Sequence, residues 1–133
     1  ADLSNLEEIE GGLDVSNTWN MEDMFYGDIN LKSLDFSDWD TSNISNMLNM
    51  LSGTNSLQTI IMGEKSIFDN STGLPMIDIS STEYSGRWIC INPENPTSVY
   101  ENSDEFLDNY DGSNPGVYIW ELNTIEELEG WQK

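Results

Sequence analysis

Histidine is absent from this chain of 133 residues, and cysteine occurs once, at Cys90. A single cysteine rules out an intramolecular disulfide, and a zinc site needs several Cys or His ligands. Without histidine, neither a serine nor Cys90 has the usual base to activate it as a nucleophile. We therefore expect no enzyme and no catalytic residues. A buried strand cysteine is more often inert packing than a reactive thiol. Positive charge is equally scarce: Lys32, Lys65, Arg87 and Lys133 stand against 25 acidic residues, giving a net charge of −21. Such a surface repels nucleic acid and anionic lipid, so neither is an expected partner. No apolar run approaches the length of a membrane span, so no membrane insertion is expected.

What is present can build a core. Apolar residues make up 37% of the chain and aromatics 11%, unlike a disordered acidic tail. With so many carboxylates, acidic pairs arise by chance, and a glycosidase-type pair carries no signal.

The most informative feature is a repeat. Leu31, Leu34 and Phe36 recur as Leu57, Ile60 and Met62; Met24 recurs as Met50 and Gly27 as Gly53, always 26 residues on. Met21 likewise matches Met47, and Asp14, Ser16 and Asn17 match Asp40, Ser42 and Asn43. Leu6 and Ile9 match Leu31 and Leu34 after one deletion near Gly11 and Gly12. A fixed period in this range predicts stacked units that bury their apolar faces against each other, an α/β solenoid. The chain begins in mid-pattern, and preceding residues are expected.

Within one unit, Leu34-Asp35-Phe36-Ser37 alternates as a half-buried strand does. Asp40, Thr41, Ser42 and Asn43 then offer side chains that cap a helix. Ile44, Met47, Leu48 and Leu51 follow at helical spacing, which predicts a short helix of roughly two to three turns. Gly53 stands where a helix end takes a left-handed residue. The recurring methionines read as packing residues rather than as ligands.

These residues resemble a known family. The string from Leu34 to Ile60 is similar to the BspA-like leucine-rich repeat, also called the bacterial surface protein 26-residue repeat. Leu31, Leu34, Asp35, Ser37, Trp39, Asp40, Thr41, Ser42, Asn43, Met47, Met50 and Gly53 fit its lettering. Ile44 stands for the usual Val, Leu51 for the usual Phe, and Leu13 replaces Trp39 in the earlier copy. The resemblance implies a right-handed leucine-rich-repeat-like solenoid with a strand and a short helix per unit. It further implies a secreted or cell-wall-associated protein, mostly of Gram-positive bacteria, acting in adhesion or surface interaction.

The period fails after Gly63. Residues 1–83 are expected to form the solenoid with an irregular last coil, 84–122 a capping module of two strands and a helix, and 123–133 an acidic tail or linker. Strands are predicted over 84–91 and 116–121, paired through Trp88 and Trp120, with a helix over 103–110 capped by Ser103. A block of this form also resembles the segment that follows such repeats in surface proteins. Trp88, Tyr118 and Trp120 read as module core; the alternative is a carbohydrate-stacking platform. Asp108, Asn109, Asp111, Ser113 and Asn114 form the densest oxygen cluster, the one place where Ca2+ is conceivable. It does not follow the EF-hand spacing, and a turn at a helix end explains the same residues.

The candidate binding surface is the outward strand face: Glu8 and Glu10, then Ser33, Asp35 and Ser37, then Thr59 and Ile61. Its acidity suits a host or bacterial surface protein of basic character. Two alternatives stand beside this reading: a structural spacer without a ligand, and a carbohydrate-binding accessory module.

Overall fold

A computed structural model describes residues 8–9, 20–80, 82–91 and 98–123. Six strands form one mixed sheet: β1 (Glu8–Ile9), β2 (Ser33–Asp35), β3 (Thr59–Met62), β4 (Tyr84–Cys90), β5 (Val99–Tyr100) and β6 (Gly116–Leu122). Their order across the sheet is β1-β2-β3-β6-β4-β5. The first three run parallel, with Ser33 opposite Thr59 and Leu34 opposite Ile60. Strand β6 then pairs antiparallel with β3 on one side and with β4 on the other. The last strand among the described residues therefore joins the parallel half to the antiparallel half from the middle of the sheet.

This arrangement corrects the expected α/β leucine-rich-repeat-like solenoid with a helix in every unit and a β-rich cap. Among the described residues the one α-helix is α1 (Ser103–Asn109), outside the repeats, and all the strands belong to a single mixed sheet. The stretches expected to be helical, around Met21–Met24 and Met47–Met50, are successive turns. The reason lies in the backbone. Asp23 and Asn49 sit at φ of 58° and 56°, a left-handed conformation that a right-handed helix cannot include. Their amides accordingly leave the helical i−4 pattern. Met21 N donates to Asn46 O (2.7 Å), Asp23 N to Leu48 O (3.0 Å), Phe25 N to Met50 O (2.9 Å) and Gly27 N to Ser52 O (2.8 Å). Each turn is thus tied to the next copy of itself. A helix of two to three turns is costly to nucleate, whereas these cross-links satisfy the same donors over long range. Leu48, expected on an apolar helix face, is consequently exposed, while Met21, Met47, Met50 and Leu51 are buried.

One face of the sheet carries the core. In the parallel half Leu34, Phe36, Ile60 and Met62 pack with Leu31, Leu57 and the turn methionines. Phe36, Trp39 and Phe68 cluster there, with Phe36 centroids 4.5 Å from Trp39 and 4.7 Å from Phe68. In the antiparallel half the core is aromatic. Phe106 of α1 lies 5.3 Å from Trp88, 5.1 Å from Tyr100 and 5.0 Å from Tyr118. Helix α1 therefore packs on the same face as the turns. Its cap is Asn102, whose side chain accepts from Glu105 N (2.9 Å), rather than the expected Ser103. Ser103 is instead fully buried, accepting from Trp88 Nε1 (2.9 Å) and donating to Pro75 O (2.7 Å).

Candidate functional site: the open face of the sheet

Side chains alternate between the faces of a sheet, and residues directly opposite in neighbouring strands share a face. Leu34, Ile60 and Tyr118 are opposite one another and point to the core. Their neighbours must point the other way. Ser33, Thr59, Ile119, Ile89 and Val99 form one row across β2, β3, β6, β4 and β5. Asp35, Ile61 and Val117 form the next row, extended by Ile91, whose N donates to Val117 O (2.9 Å). On the far side of the first row Arg87 Nε donates to Glu121 Oε1 (2.7 Å), an ion pair across β4 and β6. All of these side chains are at least partly exposed.

The face therefore changes character along its rows. Over the parallel strands it carries Ser33, Asp35 and Thr59, with Ile61 among them. Over the antiparallel strands it is mainly apolar, with Val117, Ile119, Ile89, Ile91 and Val99, and the Arg87–Glu121 ion pair borders this stretch. Ile91 and Val99 are 48% and 40% exposed.

Of the residues singled out in the sequence, Ser33, Asp35, Thr59 and Ile61 come together on this face. Ser37 lies beyond the end of β2, where Asp35 Oδ1 accepts from both Ser37 N (2.9 Å) and Ser37 Oγ (2.6 Å). Glu8 pairs with Ser33 in the edge strand β1. Glu10, Leu6, Leu13, Asp14, Ser16, Asn17 and residues 124–133 lie outside the described residues.

Sequence reasoning missed Val117, Ile119, Ile89, Ile91 and Val99. A signal was there. Val117-Tyr118-Ile119-Trp120 and Trp88-Ile89-Cys90-Ile91 are apolar at every position, the pattern of strands covered on both faces.

A cleft of about 670 Å3 opens beyond the row of Asp35 and Ile61, past the carboxyl ends of β2 and β3. Ile61, Met62 and Pro115 line it together with Asp38, Asp40 and Glu64, and Lys65 borders it. Its walls are held firmly. A Cβ on Gly63 would sit 2.2 Å from Ser37 O, so only glycine allows these two chains to meet. Tyr110 Oη donates to Gly63 O (2.6 Å). Thr41 Oγ1 donates to Ile67 O (2.6 Å) and accepts from Ile67 N (2.9 Å), joining the loop after β2 to the loop after β3. The hydrogen bonds from the Ser42 side chain and backbone hold the Asp40 carboxyl below its ordinary range, and Lys65 adds to this. Asp40 therefore keeps its charge into mildly acid solution.

A smaller cleft of about 210 Å3 lies at the other end of the rows, lined by Gln58, Thr59, Tyr84, Ile119, Trp120 and Leu122. Here the structure divides the expected glycan platform. Trp88 and Tyr118 are fully buried, and the Tyr118 hydroxyl donates to Asn114 O (2.7 Å). A sugar ring cannot stack on either. Trp120 alone of the three is partly exposed, with Tyr84 edge-on to it at 5.1 Å.

The oxygen cluster near α1 is engaged in local structure. Asp108 accepts from Asn70 Nδ2, Asn109 Nδ2 donates to Glu105 O (3.0 Å), and Asp111 Oδ1 accepts from Ser113 N (3.0 Å). Among the described residues no group of three or more acidic or cysteine side chains is placed to hold a metal ion. Nor is any described helix long and apolar enough to cross a membrane.

These features define a small mixed-sheet protein in which, among the described residues, one face is packed and the other is at least partly exposed. The chain belongs to the family described as Mycoplasma protein of unknown function, DUF285, which matches residues 2–114. Strand β6, which supplies Val117 and Ile119, follows the matched residues. No match was found among curated proteins or among solved structures.

Proposed function

We infer that this is a non-catalytic protein-interaction module that binds a basic partner through the open face of its sheet. One observation carries the reading: a face crossing five strands, with Asp35 at one end and a mainly apolar stretch at the other, on a chain with a net charge of −21. Charge of one sign steers a complementary partner, and the apolar part supplies short-range affinity. The likeness of residues 31–53 to BspA-like repeats supports a setting at the bacterial cell surface or in secretion, with adhesion as the role.

Binding of the full chain to polylysine, followed across a salt series, tests this reading. The expected result is binding that weakens with salt and falls severalfold in Asp35→Lys. Asp104→Lys, an exposed charge change on α1, should have a smaller effect. Equal losses in the two variants would mean bulk charge and no site. Absence of binding would leave the spacer as the better reading.

A further inference from the structure

The antiparallel half of the face says more about the partner than its charge does. Residues 88–91, at the end of β4, and 117–120 of β6 are apolar on both sides, and among the described residues α1 and the turns pack on the Trp88 and Tyr118 side. A sheet buries its apolar faces against another layer, and a contiguous exposed patch of such residues marks an interaction site. The row from Ser33 to Val99 crosses five strands, roughly 19 Å at ordinary strand spacing. About 13 residues of α-helix span that distance.

We propose that the open face docks an amphipathic, basic α-helix of a partner protein, lying across the strands. This rests on the basic-partner reading and narrows it. The apolar side of the helix covers Ile119, Ile89, Ile91 and Val99. Its lysines or arginines lie over the parallel half, near Asp35 and the Asp38 and Glu64 side of the cleft. A second copy of this chain would bring −21 against −21 and no complementary charge. A purely apolar helix would leave Asp35 facing a hydrocarbon surface, which a carboxylate resists. The acidic half therefore selects a basic helix, and the apolar half selects a patterned one.

Two synthetic peptides of 14 residues separate these requirements. Both contain the same leucines and lysines; one places the leucines at helical spacing, and the other scrambles them. Each is titrated against the full chain by calorimetry. The patterned peptide is expected to bind at least tenfold more tightly. That advantage is expected to vanish in Ile91→Thr combined with Val99→Thr. Both positions are exposed, and threonine keeps the branched shape that strands favour, so the fold is retained; circular dichroism checks this.

Equal binding of the two peptides, both weakened by Asp35→Lys, would overturn the helix and leave the basic-partner reading intact. Insensitivity of both peptides to Asp35→Lys would remove that reading as well. A patterned advantage that survives the double threonine variant would place the helix elsewhere and overturn the proposal. So would sedimentation of the chain alone as a dimer that the double variant dissociates, because a second copy would then occupy the face.

Discussion

The two halves of the sheet solve the same problem with different materials. In the parallel half, short strands of two to four residues are held by turns that hydrogen-bond from one copy of the repeat to the next. The core there is leucine, isoleucine and methionine around the Phe36, Trp39 and Phe68 cluster, and the open face is polar apart from Ile61. In the antiparallel half, β4 and β6 are seven residues each, the core is aromatic, and the open face is mainly apolar beside the Arg87–Glu121 pair. Short strands tied by turns need only one buried side. The longer strands carry apolar runs, at 88–91 and 117–120, whose side chains alternate onto the second, partly exposed surface as well. On the function proposed above, a partner would gain affinity over the antiparallel half and be selected by charge over the parallel half.

Removal of the central aromatic of the antiparallel core should have the largest effect on stability. Trp88→Ala empties a fully buried site and leaves Ser103 without its indole donor. A loss of about 3–5 kcal/mol is expected in denaturant unfolding. Because β6 is bonded to both β3 and β4, hydrogen exchange should show both halves weakened together. If the amides of residues 21–62 kept their full protection, the halves would be independent and the comparison would become one between two folding units.

Gly63→Ala probes the parallel half at its tightest point. The new methyl would meet the Ser37 carbonyl, and forced repacking costs about 1–3 kcal/mol. The change should also disturb the cleft, seen as shifted amide resonances at 37–40 and 64–67. A substitution without cost would show that the two loops are free to separate.

Tyr118→Phe should cost about 1 kcal/mol through the lost bond to Asn114 O. It also tests alkaline behaviour. Burial pushes the hydroxyls of Tyr110 and Tyr118 well above the usual phenol range, and that of Tyr100 upward as well. A proton held more firmly in the folded state stabilises that state fully below the unfolded value of about 10. The contribution is lost as pH rises from there through the folded value. Unfolding free energy of the wild type should therefore fall above pH ~10, and less steeply in Tyr118→Phe. Identical slopes would mean that Tyr118 is not protected by the antiparallel core.

The smallest effect is expected at the acid end of the parallel half. The Ser42 hydrogen bonds lower the Asp40 carboxyl, so its contribution is present above the ordinary carboxylate value and fades as pH falls through the folded one. Asp40→Asn should leave stability at neutral pH nearly unchanged and slightly flatten the loss below pH ~4. A large loss at pH 7 would make Asp40 a structural member of the cleft wall.

Much of this molecule was legible in its residues. The 26-residue spacing of Leu34 and Ile60 is also the register in which β2 and β3 pair. Alternation marked the core side of those strands, and β-branched and aromatic runs marked β4 and β6. The element between the strands was misread for a physical reason. Ile44, Met47 and Leu51 have helical spacing, but spacing does not report φ, and an Asn or Asp in the left-handed region turns the same spacing into a chain of turns. Of the candidate face, Ser33, Asp35, Thr59 and Ile61 could be placed from the repeat alone. Ile119, Ile89 and Val99 could not, because they join that face only through strand pairs between distant segments.

Composition and local pattern by themselves determined the strong acidity of the chain, the want of a histidine base or an intramolecular disulfide, and β2, β3, β4 and β6 with their buried sides, but not β5. These are properties of single residues and near neighbours. Only the tertiary structure decided that β6 enters between β3 and β4, that α1 covers the Trp88 side, and that one row of side chains runs from Ser33 to Val99. Such facts depend on long-range pairing, where the free energy of burying Trp88, Phe106 and Tyr118 together outweighs the entropy of closing long loops. No local signal encodes that balance.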